Sequence, residues 1–244
     1  MINAKAGISV SCGASSKKEE SRGDNSEAVH EQIKEVYTIQ YQSKVENRLE
    51  EAKSLGNYTE ESMLIEPNPY GTNTLSLYVY FQTEEPAQVS YTVASETEKI
   101  PDFTVLPSSE ERNGTDHEFQ VIGLVPNMEN TVTFTIAYED GTEKTYNYTD
   151  DTGDILGEEE TTLAMEDLTE NASDQLENGL YVILGNDSDD LDFMYYYDNY
   201  GILRGEVPLI GYRSHRLLFQ DGLMYYSISE TQIAAVDSLG GILY

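Results

Sequence analysis

The chain is 244 residues long and sets 45 Asp and Glu against 14 Lys and Arg, a formal charge of −31. A field of that sign repels polyanions, which excludes nonspecific nucleic-acid binding and attraction to anionic membrane surfaces. Nineteen Tyr, six Phe and a 39% hydrophobic composition supply enough apolar mass for a core, so global disorder is excluded as well. One cysteine, Cys12, leaves no intrachain disulfide and no multi-cysteine zinc site.

In chain order, residues 1–22 read as an export remnant followed by a disordered tether. The small residues before Cys12 and the polar run Gly13–Ser21 after it have the layout of a bacterial lipoprotein, in which the cysteine takes the lipid. The stretch before Cys12 is shorter and more polar than a working export segment, and Ser9 stands where that pattern usually has Leu. A start site placed too late gives this layout. A lipid on Cys12 would be the chain's only tie to a membrane and implies an extracytoplasmic location, periplasmic or cell-surface. The plain alternative is a free thiol in a disordered tail. No apolar run approaches the ~18 residues of a membrane-spanning helix.

Residues 23–56 form one amphipathic helix by periodicity. Val29, Ile33, Val36, Tyr37, Tyr41, Val45, Leu49, Ala52 and Leu55 recur at three- and four-residue steps. Asp24 or Ser26 suits its N-cap, Gly56 suits a left-handed C-terminal position, and His30 falls on its exposed face.

The period then switches to two. Leu75, Leu77, Val79 and Phe81 alternate with Ser76, Tyr78 and Tyr80, and similar alternation returns at 89–93 and 132–138. With Phe119, Val121 and the turn Glu139–Thr142, this predicts six or seven antiparallel strands over 57–150. That is the content of an immunoglobulin-like sandwich. The stretch Gly123–Val132 resembles the fibronectin type III loop, without its tyrosine. Asn-x-Ser/Thr triplets at Asn57, Asn113, Asn147, Asn171 and Asn186 read as turn chemistry.

Residues 151–178 read as an acidic linker, with a short strand at Thr161–Met165. From Asp150 to Asp198 there are sixteen carboxylates and no Lys or Arg. Asn186–Asp192 lacks the spacing, Gly and terminal Glu of an EF-hand loop and reads as a solvated hairpin tip rather than a calcium site. His117 has no second histidine near it for zinc. No metal and no cofactor are expected.

Strands resume over 179–244. Leu180–Leu184 is a continuous apolar run, as in a strand buried on both faces. Asp198-Asn199-Tyr200-Gly201-Ile202-Leu203 and Asp237-Ser238-Leu239-Gly240-Gly241-Ile242-Leu243 begin 39 positions apart and place similar Asp-x-x-Gly turns before Ile-Leu strands. A repeat near 40 residues with about four strands per unit marks propeller blades. Closure takes at least about four blades, so 179–244 is expected to hold the first, incomplete blades of a longer protein.

The opening Asn68-Pro69-Tyr70-Gly71-Thr72-Asn73-Thr74-Leu75, the acidic stretch before the repeat, and Tyr212–Phe219 together resemble the bacterial arylsulfate sulfotransferases over roughly residues 30–244. The resemblance implies a mainly β chain: an N-terminal helix, an Ig-like sandwich, then the start of a six-bladed β-propeller. It also implies a transferase that moves a sulfuryl group from a phenolic sulfate ester to a phenol, without a nucleotide sulfate donor, through a sulfohistidine. The family's nucleophilic histidine lies on later blades, and no His-His-Asp segment stands in this chain, so no catalytic residue is assigned to it. On this reading the chain alone is inactive, and its partners are phenolic sulfate esters and phenols in the full-length protein. A homodimer is left open.

Arg204, Arg213, His215 and Arg216 are the only basic residues between Thr145 and Tyr244. Arginine forks match sulfate oxygens and stay charged at any ordinary pH, so these four are the candidate sulfate-binding residues. Strand alternation puts Arg213 and His215 on one face and Tyr212 and Arg216 on the other. The plain alternative is that Arg204 and Arg216 pair with neighbouring carboxylates as surface bridges. A different class of function also fits the composition: a noncatalytic extracytoplasmic Ig-like module that uses exposed Tyr78 and Tyr80 for binding or adhesion.

Overall fold

A computed structural model describes residues 20–107, 113–157, 159–163, 176–184, 191–211 and 216–243. Cys12 and the Asn186–Asp190 part of the acidic tip lie outside them. The chain is mainly β, with antiparallel sheets behind two short helices.

The single helix expected over 23–56 is two, α1 (Glu20–Val36) and α2 (Ile39–Leu55). Thr38 divides them: its backbone is extended (φ −112°, ψ 145°) and its hydroxyl oxygen accepts the Tyr41 N–H at 3.2 Å, capping α2. Apolar spacing continues across the break, so periodicity did not reveal it. Asp24 and Ser26 fall inside α1 rather than at its start. Gly56 is extended (φ −93°), not left-handed, and its N–H closes the helix on Ala52 O at 2.9 Å. His30 is half-buried, its Nε2 against the Ile210 carbonyl, instead of exposed.

Six strands build the sandwich: β1 (Leu64–Pro67), β2 (Ser76–Ser95), β3 (Phe103–Val105), β4 (Asn113–Ile122), β5 (Glu129–Tyr138) and β6 (Glu143–Asp151). Its organiser is β2. The first half pairs with β1 and β4, the second with β3 and β5, and the register shifts between Gln82 and Ala87. Leu77, Val79, Phe81, Val89, Tyr91 and Val93 all point into the core, where Phe119 stacks on Tyr91 and Phe134 meets it tilted. The β5–β6 hairpin turns at Gly141 (φ +87°), with Asp140 accepting the Thr142 N–H at 2.8 Å, as the sequence predicted. Asn147, read as turn chemistry, lies within β6. Where the fibronectin pattern has tyrosine, Asn130 is fully buried and bonds Val125 N, Val125 O and Met128 O, holding the loop at 2.8–3.0 Å.

Tyr78 is not a binding face. It is fully buried under α2, against Val45, Leu49 and Tyr70, and Tyr80 is partly covered beside it. Amphipathic α2 has spent its apolar stripe on the outer side of β2.

Two further antiparallel sheets follow. One has the order β7 (Leu180–Leu184), β8 (Asp192–Asp198), β9 (Leu203–Leu209). The other runs β10 (Leu217–Gln220), β11 (Leu223–Ser227), β12 (Ile233–Val236), β13 (Ile242–Leu243). The apolar run of β7 is not buried on both faces: Tyr181 and Ile183 are 40% and 41% exposed. The doubly covered strands are β8 and β9. On β8, Phe193, Tyr195 and Tyr197 join the sandwich core, while Met194 and Tyr196 pack with α1 and the four-stranded sheet. The acidic linker takes part in this packing. Ile155, Leu156 and Leu163 lie against the sandwich core, and a bridge joins Thr162 to Ile202, within the short strand expected at 161–165.

Candidate functional site

The Asn68–Leu75 segment and Arg204, of the residues that the sequence marked out, meet at the junction between the sandwich and the two later sheets. Asn68 (φ +35°) and Gly71 (φ +77°) fold the Asn-Pro-x-Gly-x-Asn segment into a tight loop. A Cβ on Gly71 would stand 2.5 Å from Val36 Cγ2, so glycine is required both for the backbone and for the approach of α1. Asn73 Oδ1 accepts the N–H of Leu75 at 3.1 Å and of Glu206 at 3.3 Å. The Thr72 hydroxyl donates to Gly240 O at 2.7 Å. Gln42, buried in α2, donates to Val36 O and Tyr70 O and accepts from the Ile242 N–H. One loop thus ties both helices, the sandwich, β9 and the turn before β13.

Glu206 is the charged centre of the junction. It is fully buried, and its carboxylate accepts from the Thr74 hydroxyl at 2.7 Å and from the N–H groups of Leu156 and Gly157 at 3.0 and 2.8 Å. Burial pushes its carboxyl above the usual range, and these three donors pull it partly back. The carboxylate joins the linker to the Asn68–Leu75 loop, so it serves as an anchor.

Arg204 is the second charge there, and its donors go to protein acceptors. Its side chain has no exposure. Nε donates to Asp198 Oδ2 at 2.8 Å, the two terminal nitrogens to Gly123 O at 3.0 Å and Pro101 O at 2.6 Å, and the guanidinium lies 5.4 Å from the Phe103 ring centre. The carboxylate pairing expected of Arg204 is present, but buried instead of on the surface. Arg216 is exposed at the start of β10, an edge strand, so it does not share an enclosure with Arg204. Arg213 and His215 lie outside the described residues.

The two Asp-x-x-Gly turns superpose bond for bond. Asp198 accepts the N–H of Tyr200 and Ile202, and Asp237 accepts those of Leu239 and Gly241, all at 2.8–3.0 Å. Gly201 (φ +74°) and Gly240 (φ +89°) occupy the same left-handed position. The internal repeat is therefore structural, joining β8 to β9 and β12 to β13.

A shallow depression of about 410 Å³ lies between α2 and the sandwich, lined by Glu50, Lys53, Ser54, Tyr80, Asp116 and Glu118. Its one cation, Lys53, is held by Glu118 at 2.9 and 3.0 Å, leaving a lining that disfavours a sulfate ester. Among the described residues no group of His, Cys, Asp and Glu could hold a metal ion.

Sequence reasoning missed Glu206, Asn73 and Gln42 as junction residues. A signal for Glu206 was present: Leu203-Arg204-Gly205-Glu206-Val207-Pro208-Leu209 places two opposite charges in an otherwise apolar strand, and charges are rarely fully buried unless paired.

Comparison with known families bears on both halves. The family model for the arylsulfotransferase Ig-like domain matches residues 64–153, and that for arylsulfotransferase (ASST) matches residues 166–244. Comparison with the curated proteins found no match. The two matches follow one another in the order of the sandwich and the repeated sheets, and the chain belongs to the arylsulfotransferase family.

Proposed function

We propose that this chain is the N-terminal portion of an arylsulfotransferase that moves a sulfuryl group from a phenolic sulfate ester to a phenol. The S–O bond to the donor phenol breaks, a new S–O bond forms to the acceptor, and the acceptor's proton ends on the departing phenol. The reading rests on the serial match to the Ig-like and ASST domains. Support comes from the stacking of two antiparallel sheets that share one Asp-x-x-Gly turn geometry, as the first two blades of a propeller would. On this reading Arg213 and His215, with Arg216 beside them at the start of β10, hold the sulfate. Arg204 is withdrawn from that role because its donors serve the junction. Cys12 carries a lipid, and the protein works outside the cytoplasm.

Steady-state kinetics with an aryl sulfate donor and a phenol acceptor test the reading in the full-length protein. Donors placed on developing charge typically supply about 2.7–4 kcal/mol each, roughly 10²–10³ in rate. Arg213→Ala and His215→Ala should lower turnover by that range with unchanged melting temperatures. Wild-type kinetics in both variants would remove the site assignment, and absence of any sulfuryl transfer by the full-length protein would remove the activity itself.

A further inference from the structure

His117 sits on β4 opposite Phe81 of β2, beside the register shift between Gln82 and Ala87. Its residue exposure is 0%, and its ring stacks on Phe81 with centroids 4.8 Å apart. Nε2 lies 3.1 Å from the Thr83 hydroxyl oxygen, and that hydroxyl donates to Glu85 O at 2.8 Å. A hydroxyl has one hydrogen to give. With it directed at Glu85, the Thr83 oxygen is the acceptor, so Nε2 carries the imidazole hydrogen and Nδ1 is a bare lone pair. Nδ1 is buried and has no hydrogen-bond partner among the described residues.

The carboxylates nearest the ring, Asp116 and Glu60, are already engaged. Asp116, next to it on β4, accepts from Gln82 at 2.7 Å. Glu60, from the segment between α2 and β1, accepts from Lys144 of β6 at 2.7 Å and Tyr138 of β5 at 3.2 Å. From β2, Glu84 and Glu85 are exposed at the bulge. Asp116 and Glu60 favour a charged ring, but burial outweighs them and holds the imidazole below its ordinary range. A second proton would have to enter on Nδ1, as a buried cationic N–H with no acceptor.

We propose that His117 is a pH-responsive latch, which seals the β2 bulge while neutral and releases it, with the Tyr58–Thr59 segment docked on Gln82, when protonated. That segment is held by Gln82 N to Tyr58 O at 3.0 Å and by a bridge between Thr59 and Gln82. The sign follows from which state takes the proton first. The unfolded chain titrates near ~6.5 and the folded chain lower. The latch is therefore intact above that range, and its stability is lost as pH falls through it.

The test uses the whole chain. Long-range ¹H–¹⁵N spectra of the imidazole at pH 8 should show the Nε2–H tautomer, with a titration midpoint below that of a free histidine. Between pH 8 and 5 the wild-type melting temperature should fall more steeply than that of His117→Phe, which keeps the ring stack and cannot titrate. The protection of the Gln82 amide relative to its intrinsic exchange rate should fall on acidification in the wild type alone. A hydrogen on Nδ1, a midpoint at or above the ordinary value, or parallel melting profiles would overturn the proposal. Should His117→Phe fail to fold, the wild-type tautomer and midpoint decide it.

Discussion

Arg204 and Asp198 are both out of water, at 0% and 2% side-chain exposure, and their charges are matched at 2.8 Å. Removing one partner of such a pair strands the other, at about 3–5 kcal/mol, whereas an exposed bridge is worth about 0–1 kcal/mol. Arg204→Ala should therefore cost about 3–5 kcal/mol in urea unfolding, and a loss under 1 kcal/mol would return Arg204 to the surface class. Glu206→Ala frees the Thr74 hydroxyl and two backbone N–H groups. At about 1–3 kcal/mol for a stranded buried group, the loss should show in the same measurement, without any change in affinity for an aryl sulfate. Both residues were visible in the sequence as charges in an apolar strand. Their roles were not, because the partners Gly123, Pro101, Thr74, Leu156 and Gly157 lie from 49 to 132 positions away.

At the scale of elements, alternation located the strands well, since period-two burial follows directly from pleat geometry. Core positions Leu77, Val79, Phe81, Val132, Phe134 and Ile136 lie on the face that alternation assigned them. Local turn chemistry was equally legible at Asp198 and Asp237, whose side chains satisfy amides two and four residues on. Asp237→Ala should cost about 1–3 kcal/mol by thermal or urea melting, and Asp198→Ala more, because Asp198 also holds Arg204. Gly71→Ala puts a Cβ at 2.5 Å from Val36 in a left-handed backbone. A loss of at least about 1–3 kcal/mol is expected in a melt, and a neutral result would show that α1 does not seat on this loop. The break at Thr38 escaped periodicity because a cap interrupts backbone hydrogen bonds without changing which residues are apolar.

At the scale of the whole molecule, the sandwich shares one core with the three-stranded sheet, and the four-stranded sheet packs in a second. Phe193, Tyr195, Tyr197 and Leu203 are buried with the sandwich residues, and α1 joins both later sheets. The sequence suggests an Ig-like sandwich followed by an acidic linker over 151–178. The packing of Ile155, Leu156 and Leu163 leads to a different expectation. Far-UV circular dichroism and tyrosine fluorescence should follow one coincident unfolding transition, and two separated transitions would show that the halves unfold independently. The 244-residue chain by itself is expected to give no aryl sulfate turnover, since two sheets do not close a propeller channel. Turnover abolished by His215→Ala would instead make His215 the nucleophile.

Rules that act within a few residues carried the reading of this chain a long way. Alternation, helical spacing and Asp-Gly turns are local, so they yielded the order of elements, the sandwich core and the paired turns of the repeat. Burial of charge and coverage of a face depend on what arrives from elsewhere in the chain. Tyr78 looked open until α2 covered it, and Arg204 looked like an anion site until Gly123 and Pro101 supplied its acceptors. Gln42 bonds Val36, Tyr70 and Ile242, the last 200 positions away. No local pattern encodes contacts of that span, because they exist only once loop closure has brought separate segments into one core.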